Sequence, residues 1–160
     1  MATSSAMSTT NTYIKYSIEC IQNSQSISGN TSNVTVKVRV WRTNTGYTTY
    51  GNGTVYCKIN GTTYSAGITS SQSITSSGIE LFSKTLDIAH NSDGSKSLVM
   101  SAWISHDRFS SSEQSYTQTL TTIPRASSFT MSSNNVNAGT GITINITRAT
   151  SSFTHDIYFI

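Results

Sequence analysis

Apolar and polar residues alternate along several stretches of the chain, and the strictest alternation runs from residue 34 to residue 42. One face of this stretch is apolar and the other polar: the apolar face holds Val34, Val36, Val38 and Val40, and the polar face holds Thr35, Lys37, Arg39 and Trp41. A period of two residues is typical of a strand that buries one face and exposes the other. The pattern therefore predicts a half-buried β-strand.

Six further segments combine such alternation with a strand-rich composition. They are residues 14–20, 54–59, 62–68, 79–89, 96–105 and 116–123. Asn60-Gly61 separates two of them, and this pair favours a two-residue type I′ hairpin because both turn residues must adopt positive φ. No segment shows the 3.6-residue period of an amphipathic helix.

Seven strands with turns between them predict an all-β fold, an antiparallel immunoglobulin-like β-sandwich over residues 13–123. A partly open barrel is the alternative. Cys57 follows Trp41 too closely to lie on the sixth strand, so the disulfide that joins the sheets of antibody domains is not expected. Cys20 and Cys57 are instead predicted to be buried, reduced thiols.

The remaining residues divide into a lead-in, a linker and a second β segment. Residues 1–12 are small and hydroxylated, and they predict a flexible N-terminal segment. Pro124, the single proline, cannot continue a central strand, so residues 124–128 are interpreted as a linker. Alternating isoleucines from Ile142 to Ile146 indicate that residues 129–160 begin a second β domain, which we expect to be incomplete because two or three strands rarely form a stable sheet.

The composition is dominated by hydroxyl side chains, with 30 Ser and 26 Thr among 160 residues. Only 11% of the residues are charged and the formal net charge is +3, whereas an average domain has about a quarter charged residues. No secretion signal and no run of 18 apolar residues is present. We therefore expect synthesis in the cytoplasm and no membrane insertion.

The sequence does not indicate an enzyme. It has no nucleophile elbow, zinc-protease motif or phosphate-binding loop. His106 and Asp107 are neighbours on a predicted strand, so their side chains point to opposite faces and cannot form a catalytic pair directly. His90, Asn91 and Asp93 lack the regular acidic ligands of a calcium loop. We expect no catalytic residue, no metal site and no cofactor.

The polar face of the strand at 34–42 is the candidate binding surface. Lys37, Arg39 and Trp41 follow one another on this face, and Tyr56 and Lys58 on the following strand are predicted to lie beside them. An exposed indole can stack on a sugar ring while nearby cations hold acidic groups. The hypothesis is a carbohydrate-binding face, and the alternative is that Trp41 is a packing residue.

Several segments resemble one family. They are residues 38–42 (Val-Arg-Val-Trp-Arg), 56–61 (Tyr-Cys-Lys-Ile-Asn-Gly), 87–97 with its Asn-Ser-Asp-Gly-Ser-Lys turn, and 121–128. Together they resemble the immunoglobulin-like domain of minor tail and host-recognition proteins of tailed phages that infect Gram-positive bacteria, particularly streptococci. The resemblance implies a virion structural protein at the tail tip or baseplate, with attachment to cell-surface polysaccharide. It carries over no catalytic or ligand-binding residue.

Three functions compete at this stage. The favoured one is a structural, non-catalytic component of a phage tail that contributes to host attachment, with other virion tail proteins as partners and assembly into a homo-oligomer. The second is a carbohydrate-binding module of a bacterial cell-surface or cell-wall protein. The third is a binder of single-stranded nucleic acid, which the isoelectric point of about 9.0 suggests. The spread of the cations along the chain argues against it, so we expect no nucleic-acid partner.

Overall fold

The computed structural model describes residues 1–46, 49–125, 128–132 and 137–147, and all regular structure in these ranges is strand. The described strands, in chain order, are β1 (Ala2–Thr3), β2 (Met7–Ser8), β3 (Ile14–Ser26), β4 (Thr31–Arg42), β5 (Gly53–Ile59), β6 (Thr62–Ile68), β7 (Ile79–Ala89), β8 (Ser97–His106), β9 (Phe109–Ser110), β10 (Gln114–Thr119), β11 (Ser128–Met131) and β12 (Ile144–Thr147). Their pairings are antiparallel. The prediction of an antiparallel all-β fold is therefore confirmed.

Strands β1 to β10 form two five-stranded sheets. In the first sheet the order is β1-β3-β4-β7, with β2 also on β3, and in the second it is β10-β8-β5-β6, with β9 on β8. β11 and β12 form a two-stranded sheet. Asn60 and Gly61 join β5 to β6 with φ angles of 49° and 90°, so the predicted hairpin is confirmed.

One hydrophobic core takes side chains from both large sheets, which gives a sandwich-like arrangement. The four valines of β4 are fully buried. Opposing buried residues from the second sheet are Val55, Cys57, Ile59, Leu98, Met100, Ala102 and Ile104. The Tyr16 hydroxyl on β3 donates a hydrogen bond to the Ala102 carbonyl on β8, at 3.1 Å, and so ties the two sheets together. Each fully buried Val or Ile contributes roughly 1.5–3 kcal/mol relative to its exposed state.

The first residues differ from the predicted flexible segment 1–12. Ala2 pairs with Cys20, and Met7 pairs with Tyr16, so two short strands lie along β3. Met7 is buried in the core. Two-residue strands are too short to give a periodic pattern, so the sequence did not reveal them.

Some strand boundaries also differ from the prediction. β3 continues six residues beyond Cys20 as a polar ladder with β4, interrupted by an irregularity between Gln22 and Ser24. β10 ends at Thr119 rather than at 123, although Leu120 and Ile123 are buried. At the end of β10 the apolar pattern indicated burial, and burial does not require ladder pairing.

The division at Pro124 stays a prediction. Residues 126–127 of the predicted linker and residues 133–136 and 148–160 of the predicted second domain lie outside the described residues. The described part of that second segment contains β11 and β12, which pair from Ser128 opposite Thr147 to Met131 opposite Ile144.

Candidate functional site

The five residues of the predicted carbohydrate-binding face lie on two different sheets. Lys37, Arg39 and Trp41 are on β4 in the first sheet, whereas Tyr56 and Lys58 are on β5 in the second. Burial alternates along both strands, so all five residues are on outward faces. Because the inward faces share one core, the two outward faces lie on opposite sides. The structure corrects the prediction that the five lie side by side.

Both cations of the β4 face have acidic partners. Lys37 Nζ lies 2.7 Å from Glu80 Oε2 on β7. Arg39 Nη1 lies 3.7 Å from Glu19 Oε1 on β3, and its other terminal nitrogen donates to the Ser77 carbonyl at 3.4 Å. The positive charge of this face is therefore largely compensated.

Trp41 is half-buried at the end of the same face. It lies opposite Lys15 on β3, whose ammonium donates to the Ser8 hydroxyl at 3.1 Å. Gly78, just before β7, approaches so closely that a Cβ placed on it would be 3.5 Å from the Cβ of Trp41. The base of the Trp41 side chain therefore packs beside Gly78.

The second sheet carries an aromatic pair on its outward face. Tyr56 on β5 and Trp103 on β8 are directly opposite in the ladder, their ring centroids are 5.0 Å apart, and their planes differ by 8°. Both residues are half-buried. Trp103 is not among the predicted site residues. The signal for it is in the sequence, because the alternate residues of β8 from Leu98 to Ile104 are apolar and leave Trp103 on the outward face.

Small and hydroxylated residues surround this pair on the outward face. Ser65 lies opposite Tyr56, and the neighbouring outward positions are Thr54, Thr63, Gly67, Ser101 and Ser105. Within the described residues, neither the Tyr56 hydroxyl nor the Trp103 indole N–H has a hydrogen-bond partner. Both ring edges are therefore available to a ligand.

Two charged residues lie at one end of the aromatic pair. Lys58 follows Tyr56 on the same face, opposite Ser101, and has no ion pair within the described ranges. The Ser101 hydroxyl donates to the Glu113 carboxylate. The outward face of the second sheet thus has two aromatic rings, one cation without an ion pair among the described residues, and the Glu113 carboxylate held on Ser101 opposite that cation.

The histidines considered in the sequence analysis bond within the fold. His90 is buried, with Nδ1 2.6 Å from the Gly94 carbonyl and Nε2 2.7 Å from the Ser32 hydroxyl. His106 Nδ1 accepts the Arg108 N–H at 3.1 Å, and partial burial lowers the pKa of His106 while the nearby Asp107 opposes that shift. Among the described residues no group of three or more His, Cys, Asp or Glu could hold a metal ion.

Comparison with known proteins gives one finding. Residues 6–160 match the model of a family described as siphovirus protein of unknown function (DUF859). Neither the curated proteins nor the solved structures that were searched include a match. Within the part of the chain that the structure describes, no helix is long and apolar enough to span a membrane.

Proposed function

Because the chain belongs to this siphovirus protein family of unknown function, we propose that it is a virion component, a structural protein of the phage tail tip or baseplate that contributes to host attachment. The proposed role is non-catalytic. Its partners are other tail proteins, further copies of this chain and a polysaccharide of the host surface.

The proposal includes an immunoglobulin-like topology for residues 13–123. If β3, β4, β5, β6, β7, β8 and β10 are lettered A, B, C, C′, E, F and G, the sheets have the orders A-B-E and G-F-C-C′. This division of strands between two facing sheets is that of immunoglobulin-like sandwiches. Such a sandwich presents broad outward sheet faces to its surroundings, which suits an adhesion module.

The observation that carries the attachment role is the outward pair of Tyr56 and Trp103. Tyr and Trp are enriched at binding surfaces, because they offer large apolar contact and a hydrogen-bonding group together, and this half-buried pair keeps both features on an outward face. The position of the pair on the outward face means that these two rings do not fill the core between the sheets.

The edge strand β6 supports assembly with other chains. β6 pairs with β5 on one side, and its seven residues contain no charged residue and no proline. Natural sheets usually protect a free edge with charge, proline or a bulge. The other edge in this region, β7, has such protection, since it carries Glu80, Lys84 and Asp87 and an irregularity opposite Val38 and Arg39.

Immunogold electron microscopy tests the location. An antibody raised against the purified chain is applied to siphovirus particles whose genome encodes it, and we expect gold at the distal end of the tail. Two results would contradict the proposal: gold on the head, or unlabelled particles in which mass spectrometry does not find the chain.

Light scattering of the purified chain tests association. A strict monomer at high concentration counts against self-assembly.

The alternative is a carbohydrate-binding module of a bacterial surface or cell-wall protein. It uses the same aromatic face but requires the chain to be on the bacterium rather than on the particle. Membership of a siphovirus family favours the phage protein. The immunogold experiment separates the two, because only a virion component labels purified particles.

A further inference from the structure

We propose that the outward face of the second sheet, centred on Tyr56 and Trp103, is a saccharide-binding platform. We define this platform as Thr54, Tyr56, Lys58, Ser65, Gly67 and Trp103. The inference rests on the proposed function, which requires a polysaccharide ligand and uses the same aromatic pair, and it adds the extent of the site and the chemistry of the sugar that the site would bind. It also moves the site away from Lys37, Arg39 and Trp41.

The rings supply the apolar part of the platform. Stacking at 5.0 Å and 8° covers one face of each ring with the other ring, and no other ring contact involves either residue among those described. A pyranose has a face of C–H groups and a rim of hydroxyls. The C–H face fits against an aromatic surface. The rim can reach the Tyr56 hydroxyl and the Trp103 N–H, which are both donors and have no partner in the part of the chain that the structure describes.

Gly67 is a second and independent indication of a ligand. A glycine in the interior of a strand weakens it, and such a residue usually marks a bulge or a site that a ligand or another backbone approaches closely. The β5–β6 ladder has no irregularity, the φ of Gly67 is not positive, and a Cβ added there would meet nothing within 4 Å. The fold itself therefore does not require glycine at this position.

Gly67 lies where a ligand on Tyr56 would need space. Gly67 is opposite Thr54 and lies two residues after Ser65, which is opposite Tyr56. It is therefore diagonal to the tyrosine on the same outward face. Diagonal neighbours in a sheet lie within reach of long side chains. A side chain at 67 would occupy the β6 side of the platform, and glycine leaves it open.

The charge of the platform selects among ligands. Lys58 is its single cation, and it has no ion pair within the described residues. A nucleic-acid strand needs a track of cations along its phosphates, which one lysine does not provide. One lysine beside two aromatic rings suits a neutral sugar ring with a phosphate or carboxylate substituent. The Glu113 carboxylate, bonded to the Ser101 hydroxyl opposite Lys58, disfavours a densely anionic polymer. The proposed ligand is therefore a pyranose-containing wall polysaccharide with few acidic groups.

The test measures binding of the full 160-residue chain to soluble cell-wall polysaccharide, extracted from the strain in which the phage propagates. The affinity is measured by titration calorimetry. Trp103→Ala and Tyr56→Ala should each weaken binding at least tenfold. Lys58→Gln should weaken it several-fold at low salt and reduce its salt dependence. Trp41→Ala, on the opposite side of the sandwich, is the matched control and should bind as the parent does.

A second variant separates binding from folding. Gly67→Thr fills the open position with a residue that favours strands, so the variant should unfold no more easily than the parent and should still lose binding at least tenfold.

Fluorescence gives a direct signal from the platform. In Trp41→Phe the only remaining indole is Trp103, since the chain has two tryptophans. Its fluorescence should shift when polysaccharide is added.

The outcomes distinguish this inference from the proposed function. In one outcome, gold labels the tail tip, but Trp103→Ala and Gly67→Thr still bind the polysaccharide. This result overturns the platform and leaves the tail role intact. Platform-dependent binding by a chain that is absent from virions supports the platform and overturns the tail role. Failure to bind the polysaccharide, or binding only of a proline-rich peptide or an oligonucleotide, overturns the saccharide assignment.

Discussion

The backbone N–H of Ile123 donates a hydrogen bond of 2.9 Å to the carbonyl oxygen of Gly94, and the Ile123 carbonyl oxygen occupies the place where a side chain at 94 would begin. Arg125 Nε also donates to the Ser92 carbonyl, at 3.0 Å. The turn between β7 and β8 thus holds residues 123–125, which follow β10, by hydrogen bonds. This close approach, together with the φ of 81°, gives a physical reason for glycine at position 94.

Gly94→Ala should destabilise the fold strongly. Gly94 has a φ of 81°, where an alanine is strained by about 1–3 kcal/mol, and the new Cβ would also overlap the Ile123 carbonyl oxygen. Gly61→Ala is the matched control, because its φ is 90° and its Cβ would meet nothing within 4 Å. Urea denaturation should show a larger loss for Gly94→Ala than for Gly61→Ala. Equal losses of unfolding free energy would mean that the overlap with the Ile123 carbonyl oxygen does not add to the cost of the alanine.

Tyr16→Phe should lower the free energy of unfolding by about 1–3 kcal/mol, the cost of leaving a buried hydrogen-bonding group without its partner. The hydroxyl of Tyr16 is buried and donates to the Ala102 carbonyl across the core. Tyr116→Phe is the comparison, since that hydroxyl bonds only to the partly exposed Gln118 side chain and its loss should cost little. An equal loss of unfolding free energy in the two variants would show that the hydrogen bond from Tyr16 to Ala102 adds no more stability than the exposed bond of Tyr116.

Strict alternation made most of the fold predictable. The four valines of β4 determined which face of that strand is buried, and Asn60-Gly61 determined the turn between β5 and β6, and both agree with the structure. β1 and β2 could not be foreseen, because strands of two residues hold too few positions for a period and depend on pairing with β3. The polar end of β3 beyond Cys20 has no apolar face and gave no signal either.

The candidate site was only partly predictable for a related reason. Alternation tells which face a residue occupies, but not which sheet its strand joins. Lys37 and Tyr56 were therefore assigned to one surface although their strands belong to different sheets. The neighbours that matter, Trp103 for Tyr56 and Glu80 for Lys37, come from strands far away in sequence. Only the pairing of distant strands could identify them.

Residues 1–125 should fold as an independent unit. This chain retains both large sheets and the bond from Arg125 to Ser92. It should unfold in one cooperative thermal transition, and removal of residues 1–12 from it should lower the midpoint, because Met7 is part of the core. An unfolded 1–125 chain, measured beside a folded 160-residue chain, would place the domain boundary elsewhere. An unchanged midpoint after the removal would show that β1 and β2 do not stabilise the sheet.

The two thiols should be unreactive until the protein unfolds. Cys20 and Cys57 are free and buried, as the sequence predicted. Burial raises the pKa of Cys20, and it raises the pKa of Cys57 from 9.0 to about 12, so little thiolate forms at pH 8. A chromogenic thiol reagent should label neither cysteine in native protein and both in urea. A native mass two units below the reduced value would indicate a disulfide instead.

The same shift predicts how stability depends on alkaline pH. A group whose pKa is higher in the folded state stabilises the fold fully below its unfolded value and loses that contribution as pH rises towards the folded value. For Cys57 this window runs from 9.0 to about 12. The denaturation midpoint should fall across it, and Cys57→Ala should fall less steeply. Parallel curves for the two proteins would show that other groups cause the loss.

Removal of the partner of Lys37 should expose a cation that the native fold keeps compensated. Glu80→Gln leaves Lys37 unpaired on a face that also holds Arg39, so retention on immobilised single-stranded oligonucleotide at low salt should increase from a weak parental value. Stability should change by no more than about 1 kcal/mol, since the pair is partly exposed. Glu113→Gln is the matched control, because it changes the net charge equally while Glu113 bonds to Ser101 rather than to a cation. An equal increase in retention for both variants would assign the effect to net charge. Tight, strongly salt-dependent binding of the oligonucleotide by the parent would instead indicate a nucleic-acid partner.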